Sequence, residues 1–524
     1  MSFEIRDKDL AGRIGVLETK HGKVETPIFL PVINPVRQER DLPLSEIANI
    51  GFNAIITNAY ILYRNYGKEV SKVGVHKFLG FNGVVMTDSG AYQLMRYRSI
   101  DVGPEDIVKY QIEIGTDIGV ILDIPTTYEV SYDEAKFSVE ETLRRAKEAL
   151  KYVKDSEILW VLPVQGGIHI DLVEYSAKEA SKFNEYSMYA VGSPVTLLEQ
   201  YRFEKIVEMI FVARKYLPLD KPLHLFGAGH PLIIPFAVAL GVDTFDSASY
   251  VLYARDERVM TYSGTVKLSE LSYLPCNCPV CSKYSVEELK ELSKDERVRL
   301  IAKHNLYMLQ LEIRRVKQAI KEGRLWEYLE ERSRAHPSAR RAFNELLKYV
   351  EFLEKLDPRT RGNIRALFLY DSTSLRRPEL TRLKSYVVTG FKLYKEGSDV
   401  VLIPANPLLK PFNKAETFMK LLEKRPSLES SNVFFIIPFL GLVPIELAET
   451  YPSSQFEMPL NVSKEVIDDL LNTIKAFLEK RRHTITKVIV IADESVNWFN
   501  DNIINKLVST ARELGIEIKV EKLN

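Results

Sequence analysis

The sequence predicts an α/β protein in which a (β/α)8 TIM barrel carries a small zinc-binding subdomain and is followed by smaller C-terminal α/β (α+β) domains. Three observations predict it. Short β-rich runs alternate with longer amphipathic runs from residue 26 onward, and there are about eight of them in roughly 250 residues, as such a barrel requires. All three cysteines of the 524-residue chain fall within Cys276-Asn277-Cys278-Pro279-Val280-Cys281, with His304 downstream. The strand–helix alternation then restarts beyond residue 362.

The β-rich runs are 26–32, 54–57, 84–87, 119–122, 159–164, 189–191, 223–226 and 242–245. Pro104 opens a helix over 105–114, and Ser131 with Glu134 forms a capping box before a helix over 135–153. An open doubly wound sheet is the alternative. It is disfavoured because no Gly-rich dinucleotide fingerprint follows the first strand.

Composition bounds the function classes. With 46% hydrophobic residues the chain can bury a large core, and 71 Lys+Arg against 71 Asp+Glu leave no global field to attract nucleic acid. The charged start, Met1 to Asp9, is unlike a signal peptide, and the apolar run 434–445 is short and broken by Pro438 and Pro444. A cytoplasmic protein without a membrane partner is therefore expected.

Cys276, Cys278, Cys281 and His304 make four soft-to-borderline ligands with no cysteine left over, the set for one tetrahedral structural Zn2+ per chain. A redox dithiol needs no third cysteine or histidine. Four protein ligands leave no position open for water, so the metal holds shape and does not catalyse.

In a barrel the working groups sit where strands end. The tips read Thr57-Asn58, Asp88-Ser89-Gly90, Asp123, Gln165-Gly166-Gly167, Gly192-Ser193, Gly227-Ala228-Gly229-His230 and Asp246-Ser247. One strand-end Asp can be only a helix cap; three beside glycines that admit a flat ligand point to a shared site. Carboxylates without a catalytic metal suit glycosyl transfer, one attacking an anomeric carbon while another manages the leaving group's proton. Metal-dependent amide hydrolysis would need a His-x-His near the first strand, absent among the eight histidines. His230 reads as a loop or substrate-positioning residue.

Asp88-Ser89-Gly90-Ala91-Tyr92-Gln93, Val164-Gln165-Gly166-Gly167, Phe245-Asp246-Ser247-Ala248-Ser249-Tyr250 and the Cys-x-Cys-x-x-Cys with its distant His occur in order. Together they make residues 1–345 resemble the tRNA-guanine transglycosylases, and within them the archaeal branch. The resemblance implies exchange of guanine at D-loop position 15 of tRNA for 7-cyano-7-deazaguanine by double displacement through a covalent enzyme–tRNA intermediate, on the way to archaeosine. It assigns Asp246 as nucleophile and Asp88 as general acid/base. It makes Asp123, Gln165, Gly192 and Ser89 contacts to a 7-deazaguanine-type base, with Tyr92, where many relatives carry Phe, stacking on it. Arg255, Arg258, Lys267, Arg314, Arg315, Arg332, Arg334, Arg340 and Arg341 are candidates to hold tRNA.

The expected domains are 1–345 for the barrel including a zinc subdomain at 273–310, 346–362 for a linker, and 363–524 for the C-terminal α/β part. Archaeal relatives commonly end in a β-rich RNA-binding PUA domain, and no such succession of short strands is visible here. Arg376-Arg377 and Lys410 are the basic features of that half. Either the PUA domain is absent and tRNA is held differently, or a separate RNA-binding subunit supplies it; a homodimer through the zinc subdomain is the further expectation. Two other readings are a paralogue acting on the nitrile after base exchange and a silent tRNA-binding subunit; intact Asp88, Asp246, Asp123 and Gln165 disfavour both.

Overall fold

Ahead of the first β-run expected from the sequence, residues 3–26 form an antiparallel sheet of β1 (Phe3–Asp9), β2 (Gly12–Thr19) and β3 (Gly22–Thr26). Eight parallel strands then close into a barrel: β4 (Ile28–Ile33), β5 (Ala54–Asn58), β6 (Val84–Asp88), β7 (Ile118–Val120), β8 (Leu159–Val164), β9 (Met188–Val191), β10 (Leu223–Leu225) and β11 (Thr244–Ser247). Pairing of Thr244 with Ile28 closes the ring. The computed structural model describes residues 2–91, 102–154, 156–360, 365–394 and 397–522. It separates into two units, Met1–Tyr349 and Val350–Asn524.

Side-chain alternation fixes which residues fill the barrel. Leu30, Ala54, Ile56, Val84, Met86, Ile118, Val120, Leu159, Val161, Met188 and Ala190 pack as one buried cluster, every second residue of their strands. Each Leu, Ile, Val or Met among them contributes about 1.5–3 kcal/mol by leaving water. Continuing the same period of two past the apolar layers reaches Asn58, Asp88, Gln165 and Gly192, so the pattern that packs the barrel also aims these residues into its C-terminal mouth. Leu17 of β2 and Val24 of β3 join the cluster from the opposite end, so the antiparallel sheet covers the barrel floor.

The expected helices are present as Pro104–Glu113, with Pro at its first turn, and Tyr132–Val153, capped by the reciprocal Ser131/Glu134 pair. After β11, the hairpin of β12 (Arg258–Thr261) and β13 (Gly264–Lys267) lies against the long helix Lys294–Glu322. Ser293 and Glu296 cap that helix, and Gly323, at φ 68°, ends it in the left-handed region open to glycine. His304 lies well inside this helix, eleven residues after the capping Ser293.

In the second unit, β15 (Ser398–Pro404), β16 (Asn432–Ile437), β17 (Gly441–Pro444), β19 (Ile485–Ala492) and β20 (Glu517–Lys522) form a sheet in the order β17-β16-β15-β19-β20; β14 (Leu367–Phe368) pairs with β18 (Phe456–Glu457). All ladders of the larger sheet are parallel except β16–β17. The apolar run 434–445 is thus an antiparallel hairpin whose prolines mark its turn and its end. Among the described residues no helix is long and apolar enough to cross a membrane.

Candidate active site

Three carboxylates sit at the C-terminal mouth of the barrel, Asp123 and Asp246 buried and Asp88 half-buried, each in a different environment. Asp88 ends β6, and its Oδ1 accepts from Asn58 Nδ2 at 2.6 Å and from the Gly90 amide at 2.7 Å. Burial pushes its carboxyl up to about 7, the Gly90 amide opposes the shift, and the charges of Asp246 and Asp123 add to it. A carboxyl poised there can give and take a proton near neutral pH. Gly90 has φ 90°, and a Cβ on it would lie 2.5 Å from Tyr60 Cβ, so the turn after Asp88 needs glycine.

Asp246, in β11, faces donors on one oxygen. Its Oδ1 accepts from the Gly227 amide at 2.9 Å and lies 3.0 Å from Nε2 of His224 in β10. Both contacts go to Oδ1, and among the described residues Oδ2 has no hydrogen-bond partner. His224 is fully buried, and its Nδ1 is 2.8 Å from Thr244 Oγ1. With Asp246 as carboxylate, Nε2 donates to it and Nδ1 accepts from the threonine hydroxyl. Sequence reasoning missed His224, which lies within an apolar run; its register opposite Thr244, one strand from Asp246, is the signal that could have found it.

Asp123 follows β7 and accepts from Gln165 Nε2 at 2.5 Å. Burial raises its carboxyl to about 6 against the Gln165 bond, its own amide and the charge of Arg145. Gln165 Oε1 in turn accepts from Ser193 Oγ at 3.0 Å and the Thr126 amide at 3.2 Å, so the amide cannot flip without losing partners. Gly192 packs onto this pair: a Cβ there would fall 2.3 Å from Gln165 Nε2. Ser89 is buried beside Asp88. Tyr92 lies outside the described residues.

His230 is directed elsewhere. Its Nε2 meets Tyr201 Oη at 3.2 Å, its Nδ1 accepts the Leu232 amide, and burial pushes it down to about 3. It is a neutral, structural imidazole.

Cys276, Cys278 and Cys281 bring their sulfurs to 3.6, 3.4 and 3.2 Å from His304 Nδ1, and Cys276 and Cys281 sulfurs are 3.6 Å apart. These spacings gather four ligand atoms around one point, far beyond a disulfide bond of about 2.05 Å, and the four groups could hold a metal ion. His304 Nε2 lies 2.8 Å from the Met260 carbonyl, which fixes the proton there and turns Nδ1 to the sulfurs.

Several basic candidates for RNA contact are otherwise engaged. Arg332 is fully buried, 3.1 Å from Glu312 and stacked over the Tyr262 ring, so it belongs to the core. Arg377 is likewise buried against Glu379 at 3.0 Å, and Lys410 lies over the Phe456 ring. Arg255 pairs with Asp41, while Arg258 and Lys267 both pair with Asp256. Arg314 and Arg315 are exposed on the long helix.

The family model for queuine tRNA-ribosyltransferase matches residues 8–338. The chain is 46% identical over 489 residues to the tRNA-guanine(15) transglycosylase of Sulfolobus acidocaldarius, covering 93% of this chain and 95% of that protein. It is 48% identical over 476 residues to the protein of the same description from Aeropyrum pernix, covering 90% and 91%. With that of Saccharolobus solfataricus it shares 46% over 506 residues, 96% of this chain and 99% of the relative.

Proposed function

This chain belongs to the queuine tRNA-ribosyltransferase family, and from that premise we propose that it is a pentosyltransferase exchanging the guanine at position 15 of tRNA for 7-cyano-7-deazaguanine, a step toward archaeosine. The observation that carries the reading is the unequal carboxylate pair: Asp246 fixed through Oδ1, and Asp88 raised to about 7 at the same mouth.

The target nucleotide swings out of the tRNA stack at a cost of a few kcal/mol. Asp246 Oδ2 then attacks C1′ of its ribose. The C1′–N9 bond breaks, its electron pair leaves with guanine, and Asp88 as the acid delivers the neutralising proton. The incoming base yields its N9 proton to the Asp88 carboxylate and attacks C1′, breaking the ester to Asp246. Two displacements at one carbon retain its configuration. Asp123 and the Gln165 amide read the guanine-like edge, with Gly192 and Ser89 completing the contact and Tyr92 stacking on the ring.

The sulfur–nitrogen edges of 3.2–3.6 Å suit Zn2+, whose bonds of about 2.3 Å to sulfur and 2.0–2.1 Å to nitrogen give edges of about 3.6 Å. Cys276, Cys278, Cys281 and His304 would hold it as a structural ion. The proposal extends to tRNA held partly by Arg314 and Arg315, to a homodimer through the zinc subdomain, and to a separate RNA-binding subunit. Sedimentation with and without tRNA reads the assembly.

Incorporation of radiolabelled guanine into unmodified tRNA tests the chemistry. Exchange by the native protein, loss in Asp246→Ala and Asp88→Ala, and suppression by 7-cyano-7-deazaguanine are expected. No exchange by folded, metal-loaded protein on several tRNAs would overturn the reading.

A further inference from the structure

At the end of the barrel opposite the active site, three side chains from distant parts of the chain converge. Asp117 precedes β7 and its side chain is fully buried. His21 lies in the turn between β2 and β3, and its Nδ1 is 2.9 Å from Asp117 Oδ1. His76 lies in the short helix Val75–Leu79, and its Nε2 is 2.8 Å from Asp117 Oδ2. The two imidazoles lie with centroids 3.7 Å apart, their planes tilted by 31°.

From this arrangement we propose a second metal site, in which His21 Nδ1, His76 Nε2 and the Asp117 carboxylate bind a borderline divalent transition ion such as Zn2+. Three observations carry it. The donor atoms lie within 4.8 Å of one another, so a small inward shift of the imidazoles brings all of them onto one ion. The set is two imidazoles and one carboxylate, the nitrogen–oxygen mixture that Zn2+, Co2+ and Ni2+ accept and that Mg2+ and Ca2+ do not favour. Finally, the carboxylate is already oriented for the purpose: the His21 amide donates to Oδ1 at 3.0 Å and the Val85 amide to Oδ2 at 2.9 Å. Backbone bonds of this kind fix a ligating carboxylate from behind.

Access is graded in the sense a metal site needs. Side-chain exposure runs from 0% at Asp117 through 15% at His76 to 37% at His21. The histidines line a surface groove of about 700 Å3 that also carries Lys20, Lys77 and Lys151. Three protein ligands leave a coordination position on the groove side for water. The ion would replace the two protons that now bridge imidazoles and carboxylate, and would tie the floor-covering β2–β3 turn to the two barrel segments that carry His76 and Asp117. Its role is a clamp on the end of the barrel where stability, not chemistry, resides.

The test is metal content of the full-length protein after equilibration with micromolar Zn2+ and removal of free ion. Two ions per chain are expected for the native protein and one for His21→Gln and for His76→Gln, with the Cys3His ion retained in both. Co2+ substitution separates the sites: the proposed one gives visible d–d bands without the sulfur-to-metal charge transfer that thiolates produce. Zn2+ should raise the melting temperature of chelator-treated native protein more than that of the His76→Gln variant. One ion per chain in native protein, or two in both histidine variants, would overturn the proposal and leave the cluster as a hydrogen-bonded knot.

Discussion

His224 Nε2 lies 3.0 Å from Asp246 Oδ1 while His224 Nδ1 is held 2.8 Å from Thr244 Oγ1, so a fully buried imidazole fixes the orientation of one active-site carboxylate. Replacing His224 with Gln keeps most of the volume and removes this hold. A hydrogen bond to a charged group is worth about 1.5–3 kcal/mol, so kcat for guanine exchange should fall roughly tenfold to a hundredfold with KM for tRNA little changed. Steady-state kinetics on unmodified tRNA would show it. An equal loss through KM alone would mean that His224 supports tRNA binding instead.

Asp88 gives a pH signature. Its folded value of about 7 stands above the ordinary 3.8, so between these pH values the unfolded chain is ionised while the folded one keeps the proton. Stability contributed by Asp88 is therefore complete below about pH 4 and lost as pH rises through 7, on the order of a few kcal/mol. Asp88→Asn should melt like native protein in acid and above it at pH 8, while losing guanine exchange. Calorimetry at the two pH values decides. Equal melting temperatures at pH 8 would argue against a raised Asp88.

Gly192→Ala would put a methyl 2.3 Å from Gln165 Nε2 and push the amide off Asp123. The flexible end of Gln165 can move, so the fold should survive while the pocket for the base does not. KM for the incoming base should rise roughly tenfold to a hundredfold, the value of one charge-assisted hydrogen bond. Unchanged KM would remove Gln165 from base recognition.

Two arginines that look alike in the sequence should behave oppositely. Arg332→Met leaves Glu312 buried without its partner, and breaking such a pair costs about 3–5 kcal/mol, read as a lower melting temperature. Arg314→Ala, on an exposed face, should leave stability unaltered and reduce the salt dependence of tRNA binding by about one charge. A stable Arg332 variant with weakened tRNA binding would reverse the assignment.

The barrel was legible because its strands repeat with a period of two and end in polar residues, so Asp88, Gln165, Gly192 and Asp246 could be named from the same alternation that packs Ile56 against Met86. The sequence also gathered the Cys3His donors that meet around His304 Nδ1. What it hid has physical reasons. β1 has mostly exposed or half-exposed residues, Phe-Glu-Ile-Arg-Asp-Lys-Asp, so little hydrophobic contrast marks it as a strand. Arg332 reads as a solvated charge until Glu312, twenty residues earlier, is seen beside it. Asp117 precedes its strand, on the side where the search for strand-end carboxylates did not look.

The far edge of the second unit's sheet is β20, Glu-Ile-Lys-Val-Glu-Lys, in which four of six side chains carry charge and the neighbouring strand lies on one side only. An open edge of backbone donors and acceptors would invite another chain to add a strand, and charged edge residues are what discourage it. Exchanging Lys519 and Glu521 for apolar residues would strip that charge from the strand, together with the ion pairs Glu521 makes to Arg425 and Lys519, and turn the edge into one on which a second chain can pair.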